Sequence, residues 1–541
     1  MMYDFVIVGA GSAGCVLADR LTANGRYSVL LLEAGGSDMR FFIQMPLGYG
    51  KTFFDPAVNW MYRAEPDPGL AGQRDYWPRG KVLGGSSSIN AMVYIRGDKR
   101  DFQEWEAAGN PGWGWDPVSA AYRAIEDYEG ADPAINGKGG PLRISQLGAG
   151  KHQLCDPYIE AAKAMGLPFN PNFNGVTQEG VGLYDCTIKG GRRLSAARAF
   201  LRPAMNRSNL RVETGAHVSR LVFEGMRVTG VEYVQHGQTH RAQAGREVIL
   251  SGGAINSPQL LQLSGIGPSD HLKTLGIPIR HDNPHVGNHL QDHAALNYTW
   301  KMHVPTLNEE LRPWWGKLNA GIRYLMTGQG PLGLSINQGG GFFKTDPSRP
   351  RPNMQLYMQA FSTLIPKEGE RPLLTPDPFP GFSLGVSNCR PTSRGDVMIR
   401  SSDPFEHPRI MPNAYSTDHD VAEMLDAVKF LRGIAAQPVL AKFIDEELRP
   451  GPECRTDEEL IADFRQRSGT CYHASGTCRM SDDASQAVVD SRLRVHGLAG
   501  LRVCDASIFP NIISGNTNGP SMMVGWKGAE LILADAARRA D

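Results

Sequence analysis

The sequence predicts an α/β protein, α+β taken as a whole, and three stretches of its 541 residues carry that reading. The first is Tyr3 to Glu33. Tyr3-Asp4-Phe5-Val6-Ile7-Val8 is a short apolar run rich in β-branched residues, as expected of a buried parallel strand. It runs into a Gly-rich turn, then a helical pattern over Cys15 to Leu21 and a second strand over Tyr27 to Leu32. The second stretch, Arg246 to Leu263, repeats the order of strand, glycine turn and helix, which fits a split nucleotide-binding domain. The third is Leu210 to Val234, which alternates apolar and polar residues around turns at Gly215 and Gly225 and predicts antiparallel strands.

The turn after the first strand is Gly9-Ala10-Gly11-Ser12-Ala13-Gly14, a G-x-G-x-x-G. Gly9 permits the tight turn, Gly11 lets the backbone approach a pyrophosphate, and Gly14 lets the helix pack close to the sheet. The helix N-terminus turns free N–H groups and a positive dipole end toward phosphates. Glu33 follows Gly14 by 19 positions, where a carboxylate would accept from ribose hydroxyls. That acid favours an unphosphorylated ribose, as in FAD or NAD, over NADP.

Composition excludes several classes. Lys plus Arg and Asp plus Glu are 56 each, so nothing favours nucleic acid or an anionic surface. No apolar run is long enough to span a membrane. The first strand begins at Tyr3 and leaves no room for a signal peptide. The eight cysteines form no C-x-x-C pair, as in a reduced cytoplasmic enzyme. The length allows at least two domains.

The remaining chain alternates long loops with regular segments. Residues 37–79 read as an ordered loop or lid. Arg79 to Met92 includes Gly84-Gly85-Ser86-Ser87-Ser88, whose backbone N–H groups can cluster against an anionic or carbonyl-rich group; it reads equally as a turn before a helix. Helical segments are expected within 101–128, interrupted at Gly109-Asn110-Pro111-Gly112, and over Pro157 to Met165. Residues 386–388 and 397–400 read as strands of a second sheet, and Asp418 to Ala436 and Asp457 to Arg467 as amphipathic helices of a domain covering a cofactor. Residues 306–380 show little periodicity.

Two clusters invite a metal reading. His285, His289 and His293 lie close together with Asp292, and His289 and His293 would share a helical face; without a clear further ligand, the structural role is preferred. Cys471, His473 and Cys478 lack a fourth ligand at finger spacing, so His473 reads instead as a histidine among small residues that leave room for a ligand. No metal is expected. Leu501 to Ser507 is a strand ending at Asp505 and Ala506, and Ser514 to Ser521 opens a helix over Met522 to Ala536. No G-x-S-x-G elbow is present, which disfavours a Ser–His hydrolase.

Together these segments resemble the glucose–methanol–choline (GMC) family of flavin oxidoreductases, across essentially the whole chain. Gly80 to Asn90 is similar to the first family signature, and Gly253-Ala254-Ile255-Asn256-Ser257-Pro258 through Gly267 to the second; His473 and Asn516 sit where the family keeps its active-site pair. The pattern is most similar to bacterial alcohol and choline dehydrogenases. The resemblance implies a Rossmann-like FAD-binding domain from residues 1–150, 191–297 and 466–541. It also implies a discontinuous antiparallel-sheet substrate domain from 151–190 and 298–465. Ser12, Ala13, Glu33, Gly84, Asn90, Val93, Val218, Asp505, Ala506 and Thr517 are the implied FAD contacts, beside Gly9, Gly11 and Gly14.

The implied reaction is oxidation of a small-molecule alcohol, expected to be a primary one, to the aldehyde by hydride transfer to flavin N5. His473 would be the base, with a pKa near neutrality, and Asn516 would orient the hydroxyl. Electrons would pass to oxygen or a quinone-type acceptor, in a cytoplasmic enzyme with room for peripheral attachment to the inner face of a membrane. The alternative is a lyase that keeps FAD as structure and cleaves cyanohydrins. Two departures from the family pattern stand out. Ile89 replaces the histidine that holds FAD covalently in some relatives, so the flavin should be non-covalent. His289 replaces the asparagine of the usual V-G-x-N-L-Q-D-H.

Overall fold

A computed structural model describes residues 2–130, 132–364 and 375–538, so part of the predicted loop 306–380 lies outside the described residues. In chain order, β1 (Met2–Val8), α1 (Ser12–Thr22) and β2 (Val29–Glu33) form the opening unit. β3 (Gly180–Leu183) follows, then β4 (Leu210–Thr214), β5 (His217–Glu224), β6 (Arg227–Gln235), β7 (Gln238–Leu250) and α2 (Gly253–Leu263). After them come β8 (Ala294–Met302), α3 (Trp314–Thr327), β9 (Gly339–Phe343), β10 (Met354–Gln359), β11 (Gly381–Asn388), α4 (Asp418–Ala435) and β12 (Ile444–Arg449). The chain closes with β13 (Gly469–Thr470), β14 (Leu501–Val503) and α5 (Asn518–Arg538).

The first sheet runs β4-β2-β1-β7-β6-β5, with β14 beside β7. β4, β2, β1, the end of β7 and β14 are parallel, which is why Phe5 to Val8 and Val29 to Leu32 are apolar on both faces and fully buried. β5, β6 and the start of β7 form an antiparallel meander. The expected antiparallel pairing over 210–234 is therefore half correct: β4 joins the parallel side, because it packs against β2 with Val212 opposite Leu31.

The second sheet, β12-β8-β11-β10-β9-β3 with β13 beside β8, is antiparallel throughout. α4 packs on it through Met424, Ala427, Val428 and Leu431. The strand read from sequence over 397–400 as part of a second sheet lies at 395–398 and instead pairs with 288–290 and 409–411 in a separate three-stranded sheet.

α2 starts at Gly253 and carries Pro258 inside it. Proline lacks the N–H that would bond the carbonyl four residues back. Here that carbonyl, on Ala254, accepts from Thr477 Oγ1 at 2.7 Å, so the helix continues without an orphaned acceptor. No helix among the described residues is long and apolar enough to cross a membrane.

Candidate active site

A cavity of about 650 Å³ lies between the two sheets and reaches both termini of the motif set. Gly9, Gly11, Ser12, Ala13, Glu33, Val218, Asn90, Val93, Asp505, Ala506 and Thr517 line it, together with His473 and Asn516. Gly14 and Gly84 do not line it. Gly14 works behind the wall, where a Cβ would lie 1.9 Å from the Gly9 carbonyl oxygen. Gly84 holds a positive φ of 88° that starts the turn of serines.

The Glu33 end is built from backbone. Glu33 Oε2 accepts from Ala10 N at 2.9 Å and Oε1 from Gly35 N at 2.8 Å. The carboxylate therefore ties down the glycine turn, beyond the ribose role read from sequence. Burial pushes its pKa up to about 7. Gly85 sits so close to Gly11 that a Cβ on it would meet the Gly11 Cα at 2.7 Å, so the two glycine turns close on one another. Ser12 Oγ donates to Asn518 Oδ1 at 2.8 Å and joins the N-termini of α1 and α5. Asp505 accepts from Gly253 N and Ser257 Oγ through Oδ2 and from Ser507 N through Oδ1, stapling the start of α2 to the end of β14. Two helix N-termini, clustered glycines and a buried carboxylate form a long slot that fits a dinucleotide.

The other end is built from side chains. Asn516 Nδ2 lies 3.1 Å from His473 Nε2, and His473 Nδ1 lies 2.8 Å from His293 Nδ1. The direction of these bonds follows from their neighbours. Gln355 Nε2 donates to Asn516 Oδ1 at 3.1 Å, which leaves Asn516 Nδ2 to donate to His473. His473 Nε2 then accepts, its proton sits on Nδ1, and it donates to His293. His293 donates in turn through Nε2 to the Cys389 carbonyl at 3.0 Å. The network assigns both rings as neutral. Burial acts in the same direction. It lowers His473 well below 6.5, helped by His293 and the Arg79 charge, and brings His293 to about 4. The pKa near neutrality expected for His473 is thus corrected downward, since the ring has left water without gaining an anionic partner. The backbone is anchored as well: His473 N donates to Asp292 Oδ1 at 2.7 Å.

Sequence reasoning missed this support. His293 was grouped with His285 and His289, yet residues 285–293 form no helix; 288–290 are a strand and His289 has φ 65°. His293 turns inward to His473, whereas His285 and His289 bond one another, Nδ1 to Nε2, at 3.2 Å. Cys471, His473 and Cys478 do not converge either: Cys471 Sγ lies 3.3 Å from Tyr357 Oη. Among the described residues no group of three His, Cys, Asp or Glu side chains could hold a metal. Gln355 and Tyr357 escaped notice, although β10 carries a period-two signal. Met354, Leu356 and Met358 are fully buried in the core, while Tyr357 and Gln359 on the opposite face line the cavity.

Residues 3–295 match the N-terminal part, and residues 391–525 the C-terminal part, of the GMC oxidoreductase family. The chain belongs to this family. It is 42% identical to human mitochondrial choline dehydrogenase, over 99% of this chain and 90% of that protein. It is 41% identical to an alcohol dehydrogenase (acceptor) of Pseudomonas putida, over 98% and 96% respectively. Among solved structures, a pyridoxine 4-oxidase superposes with a TM-score of 0.88 at 32% identity, covering 97% of this chain and 98% of that one. A formate oxidase does so with 0.90 at 28% identity, covering 99% and 98%.

Proposed function

We propose that this GMC oxidoreductase is an FAD-dependent enzyme acting on the CH–OH group of a small alcohol, with His473 as base and Asn516 as the group that orients the hydroxyl. The observation that carries the reading is the His473–Asn516 contact at one end of a slot whose other end is the Gly9–Glu33 cradle.

Bound FAD supplies the acceptor for the hydride that leaves the alcohol carbon. The chain's own residues handle the proton and the oxygen. His473 Nε2 carries the lone pair that takes the hydroxyl proton once the alcohol replaces the Asn516 N–H as its partner, because Nδ1 is already protonated against His293. Asn516 Nδ2 supplies an N–H to the oxygen as negative charge grows on it, and Gln355 keeps that amide from flipping. Burial of the His473 ring shields its contacts from bulk water, which strengthens them.

The residues implied as FAD contacts are proposed in that role, and the first sheet and second sheet are proposed as the cores of the cofactor and substrate domains. Strand β8 crosses residue 297, so the proposed boundary there runs through a continuous strand. Ile89 is buried with Ile43, Val58 and Val82 and offers no nucleophile to the flavin, which supports a non-covalent cofactor. The electron acceptor is proposed to be a quinone-type compound or oxygen.

The test is anaerobic addition of alcohols, choline among them, to the yellow protein. Bleaching of the flavin absorbance by at least one alcohol is expected. A flavin that stays oxidised while a cyanohydrin is cleaved would replace this reading with the lyase. Acid precipitation should release all the colour into the supernatant; colour retained in the pellet would show a covalent flavin.

A further inference from the structure

Helix α3 has two unlike faces. Gly316, Ala320 and Tyr324, at four-residue spacing, are buried. Ala320 packs with Leu307, Leu311, Ile336 and Phe361, and two of these, Ile336 and Phe361, also line the cavity. The opposite face is open. Trp314, Leu325 and Met326 are 76%, 72% and 80% exposed, and Trp315, Leu318 and Ile322 are about half exposed or more. Phe41 extends the same patch, with its ring 6.4 Å from that of Tyr324, and Met39 and Phe42 are exposed beside it. Large apolar side chains scattered singly over a surface need no explanation, but a contiguous set on one helix marks an interaction face.

The charges flanking this face are mostly cations, with Glu309 and Glu310 half-buried in the preceding turn. Arg312, Lys317 and Arg323 are exposed on and before the helix. Arg192 and Arg198 lie close enough to Tyr324 to act on its hydroxyl. The nearby Glu309 carboxylate is occupied in capping the preceding turn, where Oε2 accepts from Thr306 N. Tryptophan, leucine and methionine on one side with lysine and arginine at the flank is the make-up of a helix that lies in a lipid headgroup layer. A second copy of this chain fits less well. A two-fold interface would bring together the same cationic flanks from both copies.

We propose that the exposed face of α3, with Met39, Phe41 and Phe42 beside it, seats the protein on the surface of an anionic lipid bilayer. The apolar side chains would enter the boundary between headgroups and acyl chains, and the cations would meet lipid phosphates. The docked face is the outer side of the cavity wall formed by Ile336 and Phe361, so a lipid-dissolved quinone would be delivered on that side of the molecule. The docking itself does not rest on the chemistry proposed for the cavity.

The experiment uses the full FAD-loaded chain and extruded vesicles. The protein should sediment with vesicles of phosphatidylcholine mixed with phosphatidylglycerol, less with phosphatidylcholine alone, and less at high salt. Leu325→Asp/Met326→Asp should keep the bound yellow cofactor and the parent melting temperature, yet bind the mixed vesicles at least about tenfold more weakly. Lys317→Glu/Arg323→Glu, which leaves the apolar face intact, guards against misfolding of the first variant and should lose the preference for anionic vesicles. Parent protein that ignores both vesicles, or variants that bind as the parent does, overturns the proposal. A lipid-free dimer that both variants convert to monomer overturns it too, because a second copy then covers the face.

Discussion

The two ends of the cavity are built from different parts of the polypeptide. At the Glu33 end the working groups are backbone N–H groups, presented by glycine turns and helix N-termini and held by the carboxylates of Glu33 and Asp505. At the His473 end they are side chains, aligned in a row from Gln355 through Asn516 and His473 to His293. A backbone cradle recognises a shape shared by every substrate turnover and loses little to any one side-chain change. A side-chain row has no such redundancy, since each member fixes the hydrogen-bond direction of the next. Damage to the first end should appear as loss of cofactor with the chemical step intact, and damage to the second as the reverse.

The largest effect is expected at His473. His473→Ala should retain yellow FAD and fold, yet reduce its flavin about 10²–10⁴-fold more slowly with alcohol, as for loss of a general base. Anaerobic single-turnover reduction measures this, and a near-parent rate would place the base elsewhere. The pH profile carries a second signature. The ring is competent when neutral, and burial favours the neutral form by lowering its pKa well below 6.5. The rate of reduction should therefore stay level as pH falls through 6.5, with its acid limb below that value.

Asn516→Ala comes next. Loss of one orienting hydrogen bond costs roughly 1–3 kcal/mol, or about one to two orders of magnitude in the same rate. The double variant with His473→Ala should lose less than the product of the single losses, because both groups act on one oxygen. Full additivity would separate their roles and break the row into independent parts.

Glu33→Ala probes the other end. It leaves the Ala10 and Gly35 N–H groups without their acceptor, at about 1–3 kcal/mol in all. FAD titration of the stripped protein should show affinity reduced about tenfold. The fully loaded variant should reduce its flavin at the parent rate. A slower chemical step with unchanged affinity would contradict the division between the ends.

The contrast also explains what could be read from sequence. The Glu33 end was legible because its parts are local: strand, G-x-G-x-x-G, helix and acid fall within thirty-odd residues, and each obeys a backbone rule. Amphipathic helices such as α4 were legible for the same reason. The His473 end depends on long-range placement. His293 and His473 are 180 positions apart, Gln355 and Asn516 are 161 apart, and nothing local distinguishes an inward His293 from its neighbours. β4 was misassigned because its choice between β2 and β5 is settled by packing. The period-two pattern of β10 was available, but its cavity face is polar and its core face holds two methionines, so it did not stand out as a strand.

The smallest effect is expected at His289, four residues from His293. His289 stacks on His285 with ring centroids 5.5 Å apart, and His285 Nε2 lies 2.8 Å from the Ser485 carbonyl oxygen. Neither ring reaches the row that ends at His293. His289 is also held at φ 65°, in the left-handed region that asparagine enters more readily than other non-glycine residues. That backbone requirement accounts for the asparagine of the family pattern without any chemical role for the side chain. His289→Asn should therefore reduce flavin at the parent rate, retain FAD, and unfold within about 0.5 kcal/mol of the parent. Stopped-flow reduction and denaturant titration check the two halves of this claim. A tenfold loss of rate in His289→Asn would mean that the outer histidine pair is coupled to the inner one, and the boundary drawn here around the catalytic row would have to move outward.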